Sequence, residues 1–164
     1  MNDATHEGTS NCARLGVDLG TVRIGLAINP ANVSLAVPLE TLERGPGDIS
    51  RIVAIVNEQG IGEVYIGDPL RLNGEIGPAA LAARAFAQTV ADSLANTLVM
   101  MIDERLTTAQ SSKQMRSAGR NTRKARTVLD QAAAVAILQN AMDTVTTTGK
   151  PAGKLVRPQR EPDA

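Results

Sequence analysis

The stretch RLGVDLGTVRIGLAI, residues 14–28, constrains the fold more than any other part of the chain. Apolar residues alternate with small or charged ones from Leu15 to Leu19 and again, after Gly20, from Val22 to Ile28. This period of two predicts two strands joined by a tight turn. Asp18 stands in the middle of the first strand, on the face that carries the small and charged residues. That face is predicted either to be exposed or to be approached closely by backbone or by a ligand.

The elements that follow predict an α/β fold. A third strand, containing Pro38 and therefore suited to a sheet edge or a bend, precedes a regular alternation of helices and strands. Strands are predicted at 34–42, 63–67 and 97–103, and helices at 47–60, 77–95, 107–119 and 126–143. Consecutive strands favour an antiparallel meander, whereas strands separated by helices need parallel crossovers. We therefore expect a mixed sheet, antiparallel in its first three strands and then parallel, flanked by α-helices.

Length and composition favour one domain without a membrane segment. The chain has 164 residues, and we expect a folded domain over 13–145 between disordered segments at 1–12 and 146–164, which lack periodicity. The first residues carry no secretory signal, and no apolar run is long enough to cross a membrane. The single cysteine fits a reducing compartment. A cytoplasmic protein is expected.

Further acidic residues occur at the end of a predicted strand and on the last predicted helix. Asp103 and Glu104 follow a buried strand, where ligands bind in open α/β sheets, although a solvated loop is the alternative. Asp130 continues the apolar stripe of the last helix, where an ionised carboxylate is costly unless it is paired or binds a metal. Its alternative is an ion pair with Arg123 or Arg126, or a favourable position near the helix N-terminus.

Asp18, Glu104 and Asp130 thus lie on three separate elements, and carboxylates that converge repel one another. A divalent cation is the usual remedy, and Mg²⁺ or Mn²⁺ favours oxygen ligands. Two such ions can activate a water and stabilise the leaving oxygen of a phosphodiester. The only histidine is His6, in the N-terminal segment predicted to be disordered. This argues against a Ser-His-Asp triad or a histidine-ligated zinc site.

Four segments resemble motifs of the YqgF/RuvX family. DLGTVRIG, DERLTT and LDQAAAVAILQ are similar to its three signatures, and YIGDPLRLNGEIGP is similar to its strand and following loop. The resemblance covers residues 14–143. It implies an RNase H-like fold, akin to Holliday-junction resolvases, and a hydrolase that matures the 5′ end of pre-16S ribosomal RNA during ribosome biogenesis.

The resemblance also assigns roles to individual residues. It implies that Asp18, Glu104 and Asp130 are the catalytic acids that bind Mg²⁺ or Mn²⁺, with two ions expected. Asp103 belongs to the same motif as Glu104 but need not be a ligand. Asp68 departs from the family, which usually has an apolar residue there; the carboxylate either supplements the metal site or lies in solvent.

Basic residues near these motifs predict a nucleic-acid partner, although basic and acidic residues balance at 17 each over the whole chain. Six basic residues and no acidic one lie between Lys113 and Arg126, beside the proposed site. They suit contacts to a phosphate backbone that do not read bases, and a solvated face is the alternative. The substrate-binding candidates are Arg120, Arg123 and Lys124, together with Arg23 and Arg105. The last two either hold the scissile phosphate or balance the acids when metal is absent.

Other functions remain open alternatives at this point. Asp-x-Gly-Thr also occurs in the phosphate loop of actin-like and sugar-kinase ATPases, but those proteins need two such domains. A Holliday-junction-type DNA resolvase and a non-catalytic nucleic-acid-binding factor with the same fold are the remaining alternatives. Pre-rRNA is the expected substrate and structured DNA the second, while the oligomeric state is left open.

Overall fold

The computed structural model describes residues 11–107 and 123–159 of the chain. A single sheet in the order β3-β2-β1-β4-β5-β6 forms its centre. The strands are β1 (Ala13–Leu19), β2 (Arg23–Asn29), β3 (Val37–Glu43), β4 (Ile61–Asp68), β5 (Leu98–Asp103) and β6 (Lys154–Leu155). The helices of the described part are α1 (Asp48–Gln59), α2 (Pro78–Ser93), α3 (Arg123–Thr148) and a short 3₁₀ helix at Glu104–Leu106.

The pairing of the strands confirms the predicted mixed sheet. β1, β2 and β3 form an antiparallel meander, and β4 and β5 join β1 in parallel. β3, which contains Pro38, lies at one edge of the sheet, and β6 lies at the other. The helix predicted at 47–60 ends as expected, with Gly60 in the left-handed conformation at its C-cap. The helix predicted at 107–119 and the N-terminal segment up to residue 10 lie outside the described residues.

Both faces of β1 are covered, as the burial of all seven of its residues shows. Leu15 and Val17 contribute to an apolar core shared with α1 and α2. The other face lies under α3, whose Ala134, Ile137 and Leu138 belong to a second apolar cluster. Asp18 lies on this second face and is fully buried. The face with small and charged residues is therefore approached by backbone rather than exposed.

Glycines allow α3 to pack this closely. A Cβ at Gly16 would lie 2.7 Å from the Ala134 carbonyl oxygen and 2.7 Å from the Leu138 Cβ. A Cβ at Gly25, on β2, would collide with the carbonyl oxygen of Asp130. The obstacles include helix backbone, which cannot rotate away as a side chain can. Glycine at these positions thus sets the distance between α3 and the sheet.

Residues after 145 are more ordered than the sequence predicts. α3 continues to Thr148, and the chain then turns back so that β6 pairs antiparallel with β5. Ala152 is buried, and the Gln159 amide donates a hydrogen bond to Asp92 Oδ1 at 2.7 Å. A two-residue strand in an aperiodic segment leaves no hydropathy signal, which explains the difference from the expected disordered tail at 146–164. Residues 160–164 lie outside the described part.

A buried polar cluster joins β1 to β4 at the end of the sheet remote from Asp18. Arg14 Nε donates to Glu63 Oε2 at 2.9 Å, and the Tyr65 hydroxyl donates to the same oxygen at 2.7 Å. Burial, and then the hydrogen bond to Glu63, raise the pKa of Tyr65 far above its usual value. The two donors thus satisfy one oxygen, Oε2, of the buried Glu63 carboxylate. No helix in the described residues is long and apolar enough to span a membrane.

Gly25→Ala tests the close approach of α3. The added methyl group meets helix backbone, so we expect the free energy of unfolding to fall by about 3 kcal/mol or more, the upper end of the cost of overpacking. Denaturant titration followed by circular dichroism measures this loss. Gly60→Ala is the matched control, because a Cβ there meets nothing within 4 Å and the cost is limited to left-handed backbone strain of about 1–2 kcal/mol. Equal losses in the two variants would contradict the packing argument.

Candidate active site

The three acids singled out by sequence are all buried. The exposed fractions of Asp18, Glu104 and Asp130 are 0, 1 and 2%. Asp18 is the penultimate residue of β1, and Glu104 directly follows β5, so both stand at the carboxyl end of the parallel strands. Asp130 belongs to the first third of α3, the helix that covers this face. Charged side chains are seldom buried without partners, so this burial calls for a physical account.

Gly25 links Asp18 to Asp130. In the antiparallel pairing of β1 with β2, Asp18 lies directly opposite Gly25. The backbone of α3 at Asp130 lies over Gly25, at the position that a Cβ would occupy. The helix residue and the strand residue therefore meet across a single glycine.

Gly67 brings Glu104 to the other side of Asp18. In the parallel pairing of β1 with β4, Val17 is matched with Ile66, so the next residues, Asp18 and Gly67, are neighbours. A Cβ at Gly67 would collide with Glu104 Oε1. The Glu104 carboxylate thus lies over the strand immediately beside Asp18. Glycines on both sides of Asp18 make room for the two other acids.

Arg23 provides a positive charge for Asp130. Its Nε donates to Asp130 Oδ2 at 2.9 Å, with the arginine side chain 24% exposed and the aspartate side chain 2% exposed. The guanidinium comes from β2 rather than from the preceding turn of α3, where the sequence pointed to Arg123 or Arg126. Arg123 instead donates to Glu43 at 3.1 Å, on the exposed surface.

Asp103 pairs with Arg105 and does not belong to the group of three buried acids. Arg105 donates to both carboxylate oxygens through its side chain, at 2.7 and 3.1 Å, and its amide donates to Asp103 Oδ1 at 2.9 Å. The side-chain hydrogen bonds from Arg105 lower the pKa of Asp103 below its usual value. Asp103 therefore caps the 3₁₀ helix that carries Glu104. Of the two predicted roles of Arg105, the described contacts fit the balancing of an acid.

Asp68 fits neither a solvated carboxylate nor an additional ligand. It is 8% exposed, and Arg84 of α2 donates to its Oδ2 at 2.8 Å. The hydrogen bond to Asp68 raises the pKa of Arg84. Asp68 follows Gly67 in β4, so its side chain points to the face opposite Glu104. The ion pair joins the end of β4 to α2. It lies on the opposite face of the sheet from Asp18, Glu104 and Asp130.

Sequence reasoning named Arg23 and Arg105 as possible counter-ions of the acids, but it missed Arg84 as the partner of Asp68 and the role of Gly67 beside Glu104. Arg84 is the lone arginine in the alanine-rich segment AALAARAFA, and nothing in that segment marks it as the partner of Asp68. Gly67 stands at a strand end where only the absence of a side chain admits Glu104. Of the predicted substrate-binding residues, Arg123 and Lys124 are exposed at the start of α3, and Arg120 lies outside the described residues.

The donor set suits a hard divalent cation in its chemistry. Asp18, Glu104 and Asp130 offer carboxylate oxygens, which Mg²⁺ and Mn²⁺ prefer, and the glycine-lined face brings them to one strip of the sheet. Within 11–107 and 123–159, however, no group of three or more Asp, Glu, His or Cys residues is gathered closely enough to hold a metal. The acids therefore fit as donors but do not form a ready-made cluster, and Asp130 has Arg23 as its counter-ion.

Comparison with known proteins identifies the family. Residues 12–144 match the model of the RuvX family, which is described as Holliday junction resolvase. The chain belongs to the RuvX family. This confirms the resemblance on which the sequence analysis relied, and the match includes all three buried acids.

Relatives and solved structures agree with this assignment. A Thermobifida fusca protein named "Putative pre-16S rRNA nuclease" is 47% identical over 150 residues, which cover 87% of this chain and 94% of that protein. A Nocardioides protein of the same name is 44% identical over 148 residues, which cover 87% and 95%. RuvC of T. thermophilus bound to a Holliday junction substrate superposes with a TM-score of 0.56 at 15% identity, over 88% of this chain and 99% of that chain. A second Thermus thermophilus RuvC structure gives a TM-score of 0.50. The fold is RNase H-like, as predicted.

Arg105→Gln tests the contact that holds Asp103. At neutral pH we expect the variant to melt about 1–3 °C below the wild type, the scale of a part-exposed ion pair. Because the folded pKa of Asp103 is lowered, this stabilisation is present above the unfolded pKa of about 3.9 and disappears as the pH falls through the folded value. Melting curves between pH 7 and pH 3 measure the difference. In an Asp103→Asn background the same substitution should have little effect, and a difference independent of pH would contradict the pairing.

Proposed function

We propose that this RuvX-family chain is a divalent-metal-dependent nuclease that hydrolyses phosphodiester bonds and matures the 5′ end of pre-16S ribosomal RNA. The observation that carries the proposal is the burial of three carboxylates on one glycine-lined strip at the carboxyl end of the parallel strands. The names of the Thermobifida and Nocardioides relatives support the RNA substrate. Ligand binding beyond the carboxyl ends of strands is the general rule for α/β sheets.

Asp18, Glu104 and Asp130 are the residues that would hold Mg²⁺ or Mn²⁺, with two ions as the expected number. The chemistry that such ions supply is activation of a water molecule and neutralisation of charge on the scissile phosphate. The protein contributes the direction of the carboxylates. Gly25 and Gly67 hold Asp130 and Glu104 against the sheet on either side of Asp18, and burial keeps the carboxylates from being solvated as they would be on the surface.

Basic side chains at the start of α3 would bind the substrate backbone. Arg123 and Lys124 are exposed there, one to two turns before Asp130 on the same helix, and Arg120 precedes them in sequence. Contacts of this kind supply affinity that depends on salt and carries no direct base information. The selection of one RNA site would then depend on the shape of the substrate rather than on base contacts from these residues.

Four-way DNA is the second candidate substrate. The description of the RuvX family as Holliday junction resolvase favours it. Digestion of labelled precursor rRNA and of a four-way junction, side by side and with the metal titrated, distinguishes the two. Preferential cleavage of the RNA supports the proposal. Metal-dependent cleavage of the junction alone would overturn the RNA substrate and leave the proposed metal-dependent chemistry in place.

Asp18→Asn tests the catalytic role of the buried acids. The amide keeps the shape of the side chain and removes a charged ligand, so we expect cleavage to fall by at least about a hundredfold, more than the loss typical of outer-shell contacts. Circular dichroism should remain unchanged. Asp103→Asn is the matched control, since Asp103 is paired with Arg105 outside the buried set, and it should retain most of its activity. Wild-type cleavage by Asp18→Asn would remove this residue from the mechanism.

The basic residues should govern binding rather than chemistry. Replacing Arg120, Arg123 and Lys124 with Ala removes three candidate phosphate contacts, each contributing about 0.7–0.9 to the dependence of log K on log salt concentration. We expect this slope to flatten by roughly 2–3 units, with affinity falling alike for unrelated sequences. Fluorescence anisotropy at several salt concentrations measures it, and cleavage at saturating substrate should change much less. An unchanged slope with lost turnover would instead place these residues in the catalytic centre.

A further inference from the structure

Among the ion pairs of the described residues, that of Arg23 differs from those of Arg84 and Arg105 in the carboxylate that the arginine contacts. Its partner Asp130 is one of the three acids proposed to hold metal. Arg105 and Arg84 pair with Asp103 and Asp68, which lie outside that set. The positive charge of Arg23 is therefore delivered to the oxygen donors themselves.

The side chain of Arg23 is able to leave Asp130 without disturbing the fold. Its backbone is fixed, because it pairs with β3 opposite Glu43 and its carbonyl accepts a hydrogen bond from the Gly20 amide at 2.8 Å. The whole Arg23 side chain, by contrast, is 24% exposed, whereas the Asp130 side chain is 2% exposed. Rotation of the Arg23 side chain toward solvent thus disturbs the structure less than displacement of the buried Asp130 side chain would.

A guanidinium and a divalent cation held by one carboxylate would repel each other at close range in a site that excludes most water. A charge-assisted hydrogen bond to a buried carboxylate also stabilises that carboxylate when no other cation is present. The two cations therefore compete for Asp130, even where its oxygens have room for both. The ion pair with Arg23 accounts for the burial of Asp130 in a structure whose described residues, 11–107 and 123–159, hold no ready-made metal cluster.

We propose that Arg23 is an internal counter-ion that neutralises Asp130 in the metal-free protein and releases it when a divalent metal binds. Arg23 thereby sets the metal affinity of the site, and its released guanidinium is available to a substrate phosphate. The proposal rests on the proposed function, since it takes Asp130 as a metal ligand. Arg23 is a positioning residue on this account.

Calorimetric titration of the full chain with Mn²⁺ tests the exchange. We expect Arg23→Gln to bind Mn²⁺ at least about tenfold more tightly than the wild type, equivalent to about 1.4 kcal/mol, because the competing cation is gone. In EDTA the same variant should melt at a lower temperature, since the buried Asp130 loses the charge-assisted hydrogen bond from Arg23. A gain in metal affinity is not an effect that structural damage produces.

Two further variants and one control keep the test decisive. Arg23→Met is a second neutral variant, to be used if Arg23→Gln folds poorly, and it should gain affinity in the same way. Arg23→Lys keeps the charge and should remain within about threefold of the wild type, a difference of about 0.7 kcal/mol. Arg84→Gln is the control. It removes an ion pair that involves none of Asp18, Glu104 and Asp130, so its Mn²⁺ affinity should be unchanged.

The outcomes separate this proposal from the one on which it rests. Absence of Mn²⁺ binding by the wild type and by every variant would overturn the proposed metal-dependent function. Binding by the wild type with equal or weaker binding by the neutral variants would overturn the counter-ion role of Arg23 alone. An equal gain by Arg23→Lys would also overturn it, because the charge would then not be the cause.

Discussion

The close approach of α3 to the sheet is the constraint on which the site depends. It exists because Gly16 and Gly25 present no side chain to the helix backbone. The helix is thereby fixed in height and in rotation, and Asp130 is delivered to the strip that already carries Asp18. A sheet with alanine at these positions would hold the helix farther away, and the acids would be separated by the added methyl groups. Packing of small residues is therefore a condition for the chemistry.

Carboxylates gather at the carboxyl end of the parallel strands on both faces of the sheet, and the protein offsets the electrostatic cost with arginines on different elements. Arg23 on β2 serves Asp130, Arg105 in the 3₁₀ helix serves Asp103, and Arg84 on α2 serves Asp68. Removing one partner of a buried ion pair leaves an uncompensated charge and therefore lowers stability more than replacing both partners with well-packed apolar residues. The arrangement ties the strand ends to their surroundings, and only the pair at Asp130 involves a proposed metal-holding residue.

Much of this architecture could be predicted from sequence, and the reason is visible in particular residues. The alternation around Asp18 predicted a face that is either exposed or approached closely by backbone or a ligand, and the structure shows approach by backbone. The apolar stripe through Asp130 predicted a helix that turns that residue toward the sheet. Both signals are local and periodic. The antiparallel and parallel parts of the sheet followed from the order of the elements.

The features that escaped prediction depend on contacts between residues far apart in sequence. The sequence marked Arg23 as able to balance the acids but did not single out Asp130, because the two residues lie 107 positions apart and no local pattern marks either as the other's partner. The same holds for Asp68, for which the sequence offered solvent or metal but not Arg84. β6 was missed because two residues are too few for a periodicity, although Ala152 and the pairing with β5 secure that segment.

Anomalous diffraction from crystals soaked with Mn²⁺ tests the central claim most directly, because it locates the metal without any assumption about activity. The account predicts an anomalous peak bonded to carboxylate oxygens of Asp18, Glu104 and Asp130. A peak only at other carboxylates, such as Asp68 or Asp103, would contradict it. So would the absence of any peak among the three buried acids at a Mn²⁺ concentration that supports nucleic-acid cleavage.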